Sequence, residues 1–278
     1  AKKTFIILSG GPGLYNPADK DHDTVWDNYI RPLLIQTKEN QLTLEPDEEV
    51  DWLVYSPAYK RRWDDDRKRY LATKVKNGYS ETTSKTNCLC EKKECPCVDY
   101  MHVILSRAVQ HNWNLIQISD AEAFWEHIKK LRSQSITRVW YIGHAKPDGL
   151  MLSNPVNIAT ELISIYSIDS KIAGKFLPFK SRRYILEEQY EQWSRGVKID
   201  QHNNYEHNFY GCNTEAFALK WAESFNVIAA GAKNKIKFND IMKNHGRVSL
   251  TVQAQWTVHV PELGPDLARR QQVPGPIP

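Results

Sequence analysis

The chain lacks any apolar run near the ~18 residues that a membrane-spanning helix needs, which excludes a helical membrane span. Nor does it carry a strong charge of one sign: 37 Lys and Arg against 33 Asp and Glu leave a net +4, no electrostatic case for nucleic acid. With 13 glycines and 14 prolines, it is neither collagenous nor low-complexity, and no internal repeat is found. Cysteine is scarce at five residues, and the one glycine-rich loop, SGGPG (9–13), lacks the Lys-Ser/Thr of a P-loop and the full dinucleotide spacing. No secretory signal is evident, because the short apolar run of AKKTFIILSGGPG reads as a first strand. What is present is ordinary globular material: 41% hydrophobic, 25% charged and 11% aromatic residues over 278 positions, enough for one large domain or two small ones.

The patterning predicts an α/β fold. TFIILSG (4–10) and VDWLVYS (50–56) read as buried strands, the first entering a sharp Gly-Pro loop. Residues 59–99 read as a surface insertion: a charged polar run from Tyr59 to Ser84, then four cysteines. Residues 100–111 read as a helix. NLIQIS (114–119), a helix over 119–134 capped by Ser119 or Asp120, and ITRVWYIGHA (136–145) form a βαβ unit. The helix turns Phe124, Ile128 and Leu131 to one face. The spacing of Ile158, Leu162, Ile165 and Ile168 predicts a helix within 156–176. HNFYGC (207–212), TEAFALKWAESF (214–225) and NVIAAGA (226–232) repeat strand, helix, strand, and RVSLTVQAQWTVHV (247–260) reads as a last long strand. The expected architecture is a three-layer sandwich with a mainly parallel central sheet, one domain over 1–262 followed by a Pro-rich tail at 263–278.

Parallel sheets carry their ligands beyond the carboxyl ends of the strands, and two chemistry-bearing residues sit at such ends, His144 and Cys212. Imidazole beside thiol is a nucleophile with its base, because the ring takes the thiol proton and the thiolate attacks an acyl carbon.

The two blocks around these residues, YIGHAKPDGLMLS (141–153) and NFYGCNTEAFA (208–218), resemble the catalytic blocks of the caspase-like cysteine peptidases, nearest the separase, gingipain and CHAT-type branches. The resemblance implies a caspase-like sandwich and a cysteine endopeptidase acting on a protein or peptide. In it His144 is the general base, Cys212 the nucleophile, and the backbone N–H groups of Ala145 and Cys212 the oxyanion hole. Ala145 stands where the family has glycine, so a positive φ there would cost about 1 kcal/mol. No cofactor is required for catalysis. Asp19, Asp21, Asp23 and Glu215 are the carboxylates available to a basic P1 side chain, and KSRR (180–183) would then be a self-cleavage site. The expected setting is cytoplasmic or that of a delivered effector or toxin.

Cys88, Cys90, Cys95 and Cys97, spaced C-x-C-x4-C-x-C, admit a structural zinc, disulfides pairing Cys88 with Cys97 and Cys90 with Cys95 across EKKE, or four reduced thiols. Two other functional classes stay open: a catalytically silent caspase-like module that binds a partner protein through this insertion, and a nucleotide-binding α/β domain using SGGPG.

Overall fold

A computed structural model of the protein describes residues 2–19, 22–34, 44–45, 47–77, 98–178, 207–238 and 256–259. The cysteine cluster, KSRR, Asp21 and the tail lie outside the described residues.

Among the described residues seven strands form the central sheet: β1 (Lys3–Ser9), β2 (Glu48–Tyr55), β3 (Asn114–Ile118), β4 (Ile136–Ile142), β8 (His207–Tyr210), β9 (Ala229–Ala232) and β10 (Trp256–His259). Their order is β10-β9-β8-β4-β1-β2-β3, with the first six in chain sequence parallel and β10 antiparallel at the edge. Between β4 and β8 three short strands, β5 (Ala145–Lys146), β6 (Gly149–Met151) and β7 (Leu162–Ser164), make a small antiparallel sheet.

Alternation along the strands fills a separate core on each face. In β1, Ile6 and Leu8 join Phe124, Ile128, Phe217 and Trp221 on one side, while Phe5 and Ile7 join Trp52, Tyr59, Ile104 and Trp140 on the other. The first side is covered by α3 (Ala121–Lys130) and α4 (Glu215–Phe225), the second by α1 (Ser56–Lys76) and α2 (Tyr100–His111). The protein is therefore an α/β sandwich of three layers, as the patterning predicts. Among the described residues no helix is long and apolar enough to cross a membrane.

Local chemistry sets the helix ends. Asp99 caps α2 by accepting the Met101 N–H at 2.8 Å, and Asp120 caps α3 by accepting that of Ala123 at 2.7 Å. Asn112 and Asn226 close α2 and α4 in the left-handed conformation, φ 56° and 54°.

Two predicted elements are corrected. The charged run from Tyr59 is not surface insertion at its start: α1 continues through it to Lys76, with Ala58, Tyr59 and Arg62 buried. Its apolar stripe is too sparse to read as a core helix, because one buried position is an arginine. The segment 156–176 is not a helix but three 3₁₀ turns and β7. Ser164 and Asp169 each accept a backbone N–H two residues on, restarting the chain at each turn, and Ile163 pairs with Leu150 in the small sheet.

Trp221 is wholly buried, edge-on to Phe209, Phe176 and Phe225. Trp221→Ala is expected to lower the unfolding free energy by about 3–5 kcal/mol, read from urea denaturation; a loss below 1 kcal/mol would mean that this face relaxes around the gap.

Candidate functional site

Chain direction reverses its lateral course between β1 and β4. From β1 the chain winds to β2 and β3, and from β4 it winds the other way to β8 and β9. Doubly wound sheets place their ligands beyond the carboxyl ends of the strands at such a reversal, and here the loops leaving β1 and β4 are tied together at that point, Gly10 and Gly11 donating to the Ile142 and Leu152 carbonyls. Gly13, Asp19, His22 and Asp23 of the loop after β1, His144 after β4 and Cys212 after β8 meet at this rim. Ile142 pairs with Tyr210 and Gly143 donates to the Tyr210 carbonyl, so His144 and Cys212 stand level, each two residues beyond its strand's end.

His144 is oriented by Asp23. Its Nε2 lies 3.1 Å from Asp23 Oδ1, which also accepts the Gly13 N–H at 2.8 Å, while Asp23 Oδ2 accepts from Asn154 Nδ2 at 2.9 Å. These donors outweigh burial, which pushes the other way, and hold the Asp23 carboxyl below its ordinary range. Gly13 must be glycine here, because a Cβ would stand 2.5 Å from the Asn154 carbonyl oxygen and 2.8 Å from Asp23 Oδ2.

The ring that faces the thiol belongs to His22. Its Nε2 lies 4.0 Å from Cys212 Sγ, and its Nδ1 lies 3.0 Å from Asp19 Oδ1. Nε2 also points at the Ile236 carbonyl oxygen, 3.2 Å away. Carboxylates and carbonyls only accept, so both ring nitrogens want a proton and the site favours imidazolium. Burial opposes that charge, but hydrogen bonding and attraction from Cys212 and Asp19 prevail, lifting the His22 pKa to about 9. His144 stacks on His22, ring centroids 5.2 Å apart at 30°, with Tyr29 edge-on to His144 at 5.2 Å. Ile236 N–H donates to Sγ at 3.4 Å, and Sγ is 3.8 Å from the carbonyl of the same residue.

The two backbone segments nominated for an oxyanion hole are packed together. A Cβ on Gly211 would come within 2.6 Å of Ala145 Cβ and 3.1 Å of the Gly143 oxygen. Ala145 begins β5 and is not among the residues with positive φ, so the strain expected from its side chain does not arise. The left-handed residue is instead Asn213, φ 58°, directly after Cys212, a conformation asparagine tolerates.

The other nominated residues fare differently. Asp19 holds His22 and Asp23 holds His144, while Glu215 Oε1 accepts from Thr257 Oγ1 at 2.8 Å and so ties β10 to α4. Asp19, Asp23 and Glu215, three of the four carboxylates nominated for a basic P1 side chain, thus each carry an internal hydrogen bond. Gly10, Gly11 and Gly13 donate their amides to the Ile142 carbonyl, the Leu152 carbonyl and Asp23, which withdraws SGGPG as a phosphate cradle. Among the described residues no group of three or more His, Cys, Asp or Glu side chains stands in metal-holding array.

His22 is the residue that sequence reasoning passed over. Its signal was a histidine set among Asp19, Asp21 and Asp23 just beyond the first strand, which reads equally as a solvated charge run.

Comparisons of the chain with protein-family models, with curated proteins and with solved structures found no match.

Two outcomes are expected. Gly211→Ala should destabilise the fold by about 1–3 kcal/mol by overpacking against Ala145, seen as a lower denaturant midpoint. For His22, the folded pKa near 9 lies above the ordinary 6.5, so its stabilisation is complete below pH 6.5 and fades as pH rises through 9. Wild type should therefore lose stability relative to His22→Gln between pH 6.5 and 9.5, and parallel stability curves would contradict the imidazolium.

Proposed function

We propose that the protein is a cysteine hydrolase acting by acyl transfer, a peptidase of the caspase-like type, with Cys212 as nucleophile. The observation that supports this reading best is His22, held by Asp19 at 3.0 Å with its other nitrogen 4.0 Å from Cys212 Sγ. A thiol, an imidazole and an orienting carboxylate in series form a nucleophile, a proton carrier and its support. In this reading His22, rather than His144, exchanges the proton with sulfur. His144, fixed by Asp23 and stacked on His22, keeps the working ring in place.

The steps follow from the charges. The Cys212 thiolate attacks the acyl carbon, forming a C–S bond while the carbonyl oxygen takes up negative charge. The amides of Cys212 and Ala145 are the donors on the rim that could receive it. As the carbonyl re-forms, the C–N bond breaks and His22 gives its proton to the departing amine. Water then cleaves the thioester, with His22 taking a proton from it. The resemblance of the two blocks supports peptide as the substrate class, and the geometry of His22 and Cys212 supports acyl transfer.

A catalytically silent binding module is the second reading, favoured by the seat of Sγ against the Ile236 backbone, where a cysteine can serve as packing. Treatment with iodoacetamide or a peptidyl acyloxymethyl ketone separates the two. Preferential labelling of Cys212 near neutral pH is expected, together with loss of hydrolysis in Cys212→Ala at a nearly unchanged melting temperature. His22→Ala should lower kcat/KM by about 10²–10⁴, more than His144→Ala does. The reverse ranking would return the proton to His144, and an unlabelled Cys212 would favour the silent module.

A further inference from the structure

We infer that Arg62 is a positioning residue of the site: its guanidinium, buried beneath the loop after β1, holds His22 in register with Cys212. The inference rests on the reading of Cys212 and His22 as a thiolate–imidazolium pair.

Arg62 comes from α1, a different layer from any residue of the pair, and its side chain is only 1% exposed. Every arm of its fork is occupied. Nη1 donates to the carbonyls of Gly13 at 3.0 Å and Asp23 at 2.8 Å, and Nη2 donates to that of Thr24 at 3.1 Å. Nε donates to both oxygens of Asp66, at 2.9 and 3.0 Å. Asp66 is itself fixed by the Tyr100 hydroxyl at 2.6 Å and by Arg69, over which Tyr15 lies with its ring centroid 3.8 Å from the guanidinium carbon.

The geometry has one consequence for the loop. Gly13 is where the excursion departs and Asp23–Thr24 is where it returns, so a single planar group closes a stretch that contains Asp19 and His22. The same two ends carry the Gly13 N–H to Asp23 bond that orients His144. Arg62 touches neither thiol nor imidazole, and acts through the backbone that bears them. A buried guanidinium without its partners is strongly unfavourable, so the three carbonyls and Asp66 keep it in place as firmly as it keeps them. Lysine cannot substitute: one ammonium has no planar fork with which to reach three carbonyls and a carboxylate together.

The test is the rate of Cys212 alkylation by iodoacetamide from pH 5 to 10, mapped by mass spectrometry, in wild type, Arg62→Lys and His22→Gln. Arg62→Lys is expected to slow labelling at pH 6 by about tenfold, towards the His22→Gln rate. At pH 10, above the ordinary thiol range, the three rates should converge. General loosening of the fold would lower the melting temperature without moving this pH profile. A folded Arg62→Lys protein with the wild-type profile overturns the inference. If wild type and His22→Gln are alike, the thiolate–imidazolium reading fails instead, and the role of Arg62 in serving it falls too. Should Arg62→Lys not fold, Asp66→Asn decides: it leaves the fork but removes its counter-ion, and should slow labelling at pH 6 by about threefold or more, whereas an unchanged profile overturns the inference.

Discussion

Six strands running the same way deliver every carboxyl-end loop to one rim, and the lateral course of the chain reverses on that rim between β1 and β4. Everything of chemical interest follows from this constraint. Right-handed crossovers carry the chain from β1 over one face and from β4 over the other, so the two connections start side by side on the rim. Three parts of the chain far apart in sequence, the described residues 10–19 and 22–30, 143–154 and 211–213, then have no alternative but to meet. The side chains they bring are two imidazoles, two supporting carboxylates and one thiol.

The charges at this rim are arranged as two imidazole–carboxylate pairs in one stack. Asp23 serves His144 and Asp19 serves His22, and the rings lie face to face. The surroundings of the two rings are unequal. His22 has an acceptor at each nitrogen, whereas His144 has the already well-supplied Asp23. Below the rim the scaffold is polar as well as apolar. Arg62 and Asp66 bury a charge pair whose desolvation is a real cost, offset by five hydrogen bonds to fixed acceptors. The benefit is geometric definition of a loop too short of apolar residues to pack itself.

Much of the fold was legible from the chain alone, because it follows from local periodicity. A continuous apolar strand such as TFIILSG announces burial on both faces, and the helix capped by Asp120 starts where a carboxylate can take a free N–H. The strand ends that carry His144 and Cys212 were found for the same reason. Where local signals misled, a tertiary partner prevailed: the isoleucine spacing of 156–176 suggested a helix, but Ile163 pairs with Leu150 across a turn.

By itself, then, the sequence determined the layers of the sandwich, the direction of its strands and the rim on which a cysteine and a histidine stand, all properties of segments a dozen residues long. Which histidine faces the cysteine was decided only in three dimensions. His22 reaches Cys212 because a loop of ordinary polar residues is folded back by Arg62, Gly13 and Asp23, and no periodicity records a bond from a guanidinium to three distant carbonyls. The carboxylates that looked free for a substrate are engaged for the same reason. A side chain's partners depend on which backbone atoms the finished fold sets within about 3 Å of it, and residue order alone does not carry that information.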